Sequence, residues 1–387
     1  MIKNKTLKIF FILGEESGDI LGEKLLISLQ KISPNIEFYG LAGKRMEKKS
    51  IKSIFPISEL SLMGFLEIIP HIPKLIKRIN YTAKKITEIS PDIIISIDSP
   101  DFSFRVMRKI VQNQNLSHIK KCHLIAPSVW AYRENRAKKI SKIYDLLLAI
   151  LPFEPQFFEK YGLKTKFIGH PILQNKENYK KGQLRAKFKI RKNDKLISLT
   201  PGSRISEVKK ILPEILKTAE ILSKKYDNIK FAILTTEKTK KFIENYIKKY
   251  RIYFLIINQS DKYQLFTDSN LAIAKSGTNN IEMSLYQLPL IVTYKINFLS
   301  YILIKSLIKI RFANLINIIA DKEVIPELLQ YQCKAEILSK KAITFLEDHK
   351  LSAKQIKDSQ ESLIKMGLNF KDSPTDLAAK YILDNAI

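Results

Sequence analysis

Leu196-Ile197-Ser198-Leu199-Thr200-Pro201-Gly202-Ser203-Arg204-Ile205-Ser206-Glu207-Val208-Lys209 decides how this chain is read. The apolar run Leu196 to Leu199 predicts a buried strand. Thr200-Pro201-Gly202-Ser203 breaks it, because proline fixes φ and glycine frees it at a turn. Ser203 is placed to cap a helix whose apolar face carries Val208, Ile211, Leu212 and Ile215. A strand, a glycine turn and a helix N-terminus make an anion site, since the first N–H groups and the positive dipole end point at whatever sits there. Arg204 adds a fork of donors suited to phosphate. The plainer alternative is an ordinary strand-to-helix turn with a surface arginine.

Working outward, 387 residues suffice for two α/β domains. A hydrophobic content of 45% and a charged content of 27% belong to a folded, water-exposed protein. Cys122 and Cys333 make no disulfide framework, which predicts a reducing compartment. No His-x-x-x-His or Cys-x-x-Cys pair occurs, so no metal is expected. The 66 basic and 38 acidic residues give a net charge of +28, which favours polyanions: nucleic acid, anionic membrane or phosphorylated substrates. The charge is spread as lysine through the whole chain, as a biased genome composition would also produce. It carries no basic-aromatic motif, so nucleic acid is not expected. The N-terminal segment enters a strand directly without a cleavage site, and no apolar run approaches the ~20 residues of a membrane span.

Along the chain, Leu7 to Leu13 predicts a strand ending in Gly14-Glu15-Glu16-Ser17-Gly18-Asp19, with an amphipathic helix after it. Those acids would oppose a phosphate, so the loop is expected to face a sugar or a hydroxyl. Residues 60–79 form an apolar patch broken by Pro70 and Pro73 and rimmed by Lys74, Lys77 and Arg78. It is either a core helix pair or a surface for an acyl chain or membrane. Asp92 to Ile97 predicts a strand running into Asp98-Ser99-Pro100-Asp101. Asp101 suits a helix cap, which leaves Asp98 as the candidate general base. Trp130 with Tyr132 and Arg133, and His170 between Gly169 and Pro171, sit at further strand ends, as ligand contacts or as plain packing. A polar segment, 174–194, marks the domain boundary. Beyond it, strands at Leu196–Leu199, Lys230–Leu234, Phe254–Ile257, Leu271–Ala274 and Pro289–Thr293 alternate with helices. Ser276-Gly277-Thr278 is a second glycine turn with Glu282 one helical turn later. Two such turns suit a diphosphate, and Glu282 suits ribose hydroxyls or simply the helix dipole. Residues 297–320 have helical spacing with Lys305, Lys309 and Arg311 inserted, again core or membrane surface.

Taken together, Gly14 to Asp19, Met63-Gly64-Phe65-Leu66-Glu67, Ile97 to Phe102, Pro127-Ser128-Val129-Trp130-Ala131, Leu151 to Glu154, Gly169-His170-Pro171, Pro201 to Arg204, Ser276 to Thr278 with Glu282, and 317–329 resemble, in order, the lipid-A-disaccharide synthase family. That resemblance implies an inverting glycosyltransferase of the GT-B fold, two Rossmann-like parallel-sheet domains facing a cleft. The implied domains are 1–175 for the acceptor and membrane side, 176–360 for the UDP-sugar, and 361–387 returning to the first. The implied reaction joins UDP-2,3-diacylglucosamine to 2,3-diacylglucosamine 1-phosphate (lipid X), with no cofactor and no metal, on the cytoplasmic face of the inner membrane of a Gram-negative bacterium. The partner is an anionic membrane surface, held peripherally. Asp98 takes the base role, with Glu15 as rival or helper. Gly14, Ser17 and Gly18 serve the acceptor; Gly202, Ser203, Arg204, Ser276, Gly277 and Thr278 the diphosphate; Glu282 the ribose; Asn317 the donor site. Met63, Phe65, Leu66, Ile69, Leu75 and Ile76 would meet acyl chains or the bilayer. The chain departs from the family pattern at Leu13, Glu16, Lys275, Asn279, Asn280, Ile316 and Asp321. Another GT-B enzyme of UDP-sugars, a glycolipid transferase or an epimerase, would lack the Pro-Ser-Val-Trp-Ala and Ile-Asp-x-Pro-Asp-Phe stretches. A non-catalytic polyanion or membrane binder would have no use for both glycine turns.

Overall fold

A computed structural model describes residues 6–49, 51–60, 72–175, 177, 179–297, 301–302, 305–306 and 308–386. They form two compact units, Met1–Gln174 with Asn369–Ile387, and Asn175–Leu368. Residues 361–368, grouped with the returning C-terminal segment in the sequence reading, stay in the second unit, where the helix His349–Lys365 packs on Asn279–Leu285 and Leu315–Ala320. No helix among the described residues is long and apolar enough to cross a membrane.

In the first unit, β1 (Leu7–Leu13), β2 (Ile36–Leu41), β3 (Ile93–Ile97), β4 (Lys120–Leu124), β5 (Leu146–Ala149) and β6 (Lys164–Phe167) form a parallel sheet in the order β2-β1-β3-β4-β5-β6. β1 and β3 are buried on both faces, which is why they read as unbroken apolar runs. Alternation sorts them: Phe10 and Ile12 join one core cluster with the helix Pro100–Val111, while Ile9, Phe11 and Leu13 join the other with the helix Glu16–Ile32. The last helix, Pro374–Ala386, lies on this second face, where Ala378, Ala379 and Ile382 are fully buried. Ser28 Oγ fastens it by donating to Asp376 Oδ1 at 2.7 Å.

Strand order reverses between β1 and β3, and the helices that follow them leave on opposite faces. A crevice opens at such a switch point, at the carboxyl ends of the strands. The register sets Leu13 beside Ile97 and Ile97 beside Leu124, so Gly14, Asp98 and Ile125 come next to one another at the edge. Asp98 (φ 50°), Ser99 (φ 46°) and Ile125 (φ 74°) all adopt the left-handed region there. That is costly for residues with a Cβ, above all the β-branched Ile125.

The second unit repeats the plan. β7 (Lys195–Thr200), β8 (Ile229–Leu234), β9 (Phe254–Ile257), β10 (Leu271–Lys275), β11 (Leu290–Tyr294) and β12 (Glu327–Leu329) run in the order β12-β11-β10-β7-β8-β9, all parallel. Its reversal falls between β7 and β10, whose turns are the two glycine turns of the sequence. The helix after β7, Ile205–Lys225, buries Val208, Ile211, Leu212, Ile215 and Leu216 against the sheet.

The tightest point of the first unit is Gly14, where an added Cβ would lie 1.8 Å from Ser99 Oγ and 2.0 Å from Ser99 Cβ. Gly14→Ala must push two strand-end loops apart. Denaturant unfolding is expected to show a loss of about 1–3 kcal/mol, and an unchanged midpoint would mean the loops are free to separate.

Candidate functional site

In the second unit, the turns after β7 and β10 enclose a cavity of ≈ 290 Å³. Thr200, Gly202, Ser203, Arg204, Glu207, Lys275, Gly277, Thr278 and Asn279 line its phosphate-suited half, and Leu234, Thr236 and Gln259 the other. Gly202 takes φ 121°, which only glycine holds without strain. The helix begins one residue later than the sequence predicts: Arg204 is its N-cap and Ser203 lies exposed without capping it. Arg204 Nη1 lies 3.9 Å from Glu207 Oε1 and Lys275 Nζ 3.1 Å from the same oxygen, so two cations share one carboxylate at the mouth.

Of the residues assigned to the diphosphate, the structure brings Gly202, Ser203, Arg204, Gly277 and Thr278 together. It gives the remaining one, Ser276, and also Asn317 of the donor site and Glu282 of the ribose, different surroundings. Ser276 Oγ donates to Ala313 O at 2.8 Å. Asn317 is wholly buried: Nδ2 donates to Ile325 O (2.8 Å) and Glu327 Oε1 (2.8 Å), while Oδ1 accepts from the N–H groups of Val324 (2.9 Å) and Ile325 (2.8 Å). Both donors and both acceptor sites of the amide are spent, so it clamps residues 317–327 and has nothing left for a ligand. Glu327 also accepts from the N–H groups of Ala313 and Asn314, and burial pushes its carboxyl up. Glu282 is buried, its Oε1 accepting from Lys262 Nζ (2.7 Å) and Tyr263 Oη (2.8 Å) and its Oε2 from Lys262 Nζ (2.9 Å). It ties the helix Asn279–Leu285 to Lys262–Asp268 and does not line the cavity. Asn280, in the amide orientation that satisfies its neighbours, donates to Lys275 O and accepts from Asn314 Nδ2 and the Gly277 N–H. The departure at that position braces the second glycine turn.

In the first unit, Asp98 is half-buried, and Oδ1 accepts from the Ser99 N–H at 2.8 Å, which orients the carboxylate at the switch point. Asp101 is not the cap; Ser99 holds that position, and Asp101 is exposed and accepts from Arg136 Nη2. Glu15 is exposed at the N-cap of Glu16–Ile32, and its carbonyl accepts the Gly18 N–H at 3.1 Å. Ser17 lies in the first turn of that helix. Asp19 is structural: Oδ1 accepts from the Gly43 and Met46 N–H groups and Oδ2 from Arg45, capping Lys44–Glu47.

Trp130 packs edge-on to Phe153 at 5.2 Å and donates Nε1–H to Glu154 Oε1 at 3.1 Å. Glu154 Oε2 accepts from the N–H groups of Ile150 and Leu151, yet burial pushes its carboxyl up to about 7. Sequence spacing alone did not pair these two motifs. His170 is a packed turn histidine. Its Nδ1 accepts the Ile172 N–H, and burial lowers it to about 4, so it is neutral near pH 7.

Met63, Phe65, Leu66 and Ile69 lie outside the described residues. The helix Ile72–Ile89 follows, with Pro73 in its first turn, where the missing N–H costs nothing. Ile76 is exposed, while Leu75 is half-buried against the core. The expected basic rim is partly neutralised, because Lys74 and Arg78 both pair with Glu59. Within 297–320, the described residues 301–302 and 305–306 are helical, with the Tyr301 N–H donating to Asn297 O at 2.8 Å, and Leu315–Ala320 is a helix capped by Asn314.

A family model described as lipid-A-disaccharide synthetase matches residues 9–382. The lipid-A-disaccharide synthase of Rickettsia akari (strain Hartford) is 40% identical over 377 residues, covering 97% of this chain and 95% of that protein. That of Rickettsia prowazekii (strain Madrid E) is 39% identical over 377 residues, covering 97% and 98%. Among solved structures, UDP-GlcNAc 2-epimerase from Neisseria meningitidis bound to UDP-GlcNAc aligns with a TM-score of 0.64 at 14% identity, covering 98% of this chain and 99% of that one. A glycosyltransferase from Rickettsia africae ESF-5 aligns with a TM-score of 0.57 at 16% identity, covering 99% and 100%. With the two six-stranded parallel sheets, these likenesses assign the GT-B fold.

Two outcomes separate frame from site. Asn317→Ala is expected to lower stability by roughly 2–4 kcal/mol in denaturant unfolding, because it strands buried partners, and to leave UDP affinity unchanged in the folded fraction. A raised folded pKa means that Glu154 contributes stability in full below about 4.5, its ordinary value, and loses it as pH rises through about 7. Emission of Trp130, the single tryptophan, is therefore expected to titrate with a midpoint near 7 and to lose that titration in Glu154→Gln.

Proposed function

This chain belongs to the lipid-A-disaccharide synthase family of glycosyltransferases, and we propose that it transfers 2,3-diacylglucosamine from UDP-2,3-diacylglucosamine to the 6-hydroxyl of 2,3-diacylglucosamine 1-phosphate, with inversion. The observation that carries the donor half of this reading is the second unit's cavity at the β7/β10 reversal, with both glycine turns and Arg204 on its wall. A diphosphate sits at the turns, against Arg204 and the N-terminus of Ile205–Lys225, and the nucleoside lies toward Leu234, Thr236 and Gln259. Solved structures of the same fold with UDP, or bound to UDP-GlcNAc, support that choice of donor.

The chemistry is one displacement. The acceptor oxygen bonds to the anomeric carbon as the bond to the diphosphate oxygen breaks, which inverts the centre. Asp98 takes the hydroxyl proton, its carboxylate oriented by the Ser99 N–H. UDP departs with the electron pair, and Arg204 with the helix N-terminus offsets its growing charge. These groups supply that role with protein cations, so EDTA leaves the rate unchanged. Glu15 is the second carboxylate of the acceptor loops. Exposed Ile72 and Ile76 on Ile72–Ile89 supply apolar contact for acyl chains or a bilayer surface, and the net charge of +28 draws the protein to anionic lipid. The protein so acts on the cytoplasmic face of the inner membrane.

The test is a radiolabelled donor with lipid X and purified protein in detergent containing EDTA. Disaccharide 1-phosphate and UDP are expected. Asp98→Ala should lower transfer at least about 100-fold while UDP still binds. Near-normal turnover in that variant moves the base role to Glu15, and absence of product with UDP bound points to a different acceptor.

A further inference from the structure

The cavity of the second unit holds an ion pair that the mechanism above leaves unused. Lys275 ends β10, and its Nζ lies 3.1 Å from Glu207 Oε1. Its stem crosses the gap between the two glycine turns. A Cβ built at Gly202 would meet Lys275 Cδ at 3.7 Å, and one at Gly277 would meet Lys275 Nζ at 3.9 Å. The Tyr294 ring backs the ammonium at 5.1 Å. Glu207 stands in the first turn of a 21-residue helix with its side chain 11% exposed. On the same wall, Thr200 is 4% exposed and its Oγ1 has no hydrogen-bond partner.

A carboxylate in an anion cavity repels the ligand, so its presence needs a reason. Here it faces two cations, Arg204 at 3.9 Å and Lys275 at 3.1 Å, and leaves one net positive charge from the three groups. Without it, the two cations would repel each other, and the flexible lysine would move away toward water. We propose that Lys275 is a second cation for the diphosphate of the nucleotide sugar, and that Glu207 is the positioning residue that holds its ammonium between the glycine turns. The inference rests on the nucleotide reading above and adds a residue to it. Arg204 meets the diphosphate from the β7 turn and Lys275 from the end of β10, so charge released on the departing UDP is met from two sides. Glu207 is then shared among two cations that are themselves partly neutralised by the ligand.

The experiment is binding of UDP by calorimetry, and of uridine by ligand-observed NMR, to the full-length protein and its variants, each with a thermal melt. Lys275→Met, with Lys275→Gln as a second neutral variant, is expected to weaken UDP at least about ten-fold, the size of a lost charged hydrogen bond. Uridine, which has no phosphate, should change less than about two-fold, within measurement spread for a lost charge contact it never made. Lys275→Arg should restore most of the UDP affinity. Glu207→Gln should weaken UDP in the wild-type background and have no further effect in Lys275→Met, since its action passes through the lysine. If the pair only fastens the helix to β10, the melts fall while UDP affinity stays at the wild-type value, which overturns the proposal and leaves the nucleotide site standing. A folded wild-type protein that fails to bind UDP overturns both.

Discussion

A parallel sheet that reverses its strand order must send two neighbouring strands into helices on opposite faces, and the gap this leaves cannot be closed by the sheet itself. Both units of this protein are built around that gap. In the first it lies between β1 and β3, and Gly14 meets Ser99 across it so closely that no Cβ fits. In the second it lies between β7 and β10, and the turns there open into a cavity instead. The backbone pays for the geometry in unfavoured φ values at Asp98, Ser99 and Ile125, all at one edge of one sheet. Ser90, Arg133, Lys189, Gln287, Asp321 and Gln330 take positive φ singly elsewhere, and three such residues meeting at one strand-end edge is what a functional edge is expected to show.

Much of the polar chemistry around these gaps is scaffolding. Asp19 caps a short helix, Glu154 holds Trp130 and two backbone N–H groups, Asn317 spends its whole amide on a loop, and Glu282 joins two helices. Ser276, Ala313, Glu327 and Asn317 form one connected network that fixes the second glycine turn from behind. Along the two glycine turns the cavity wall carries Thr200, Ser203, Arg204, Glu207, Lys275, Thr278 and Asn279 beside the glycines. Buried polar residues are costly unless satisfied, so a site that must keep a few groups free has to satisfy all the rest.

The strands were legible because doubly buried parallel strands are uninterrupted apolar runs, and β1, β3, β7 and β10 are of that kind. β12 was missed: it has three half-buried residues, Glu327–Leu329, and no apolar period to read. The two glycine turns were legible as local chemistry. The side-chain pairings were not, since Glu282 with Lys262, Trp130 with Glu154 and Asn317 with Glu327 are separated by turns whose geometry no residue pattern encodes. For the same reason the sequence points to Ser203 as the cap: it is a good capping residue type, and only the backbone shows the helix starting after Arg204. Nothing in the sequence near 361 marks a join: His349–Lys365 runs without a breaker, and the chain leaves the second unit only after Gly367 (φ 98°) and Leu368.

The central claim, that the β7/β10 gap holds a nucleotide diphosphate, is tested most directly by a crystal structure of the protein with UDP. The diphosphate is expected against the Gly202 and Gly277 turns, with Arg204 within hydrogen-bonding distance of a phosphate oxygen and Asn317 and Glu282 unmoved. A nucleotide bound elsewhere on the second unit, or one that displaces Glu282 from Lys262 to reach its ribose while leaving Arg204 in solvent, would contradict it.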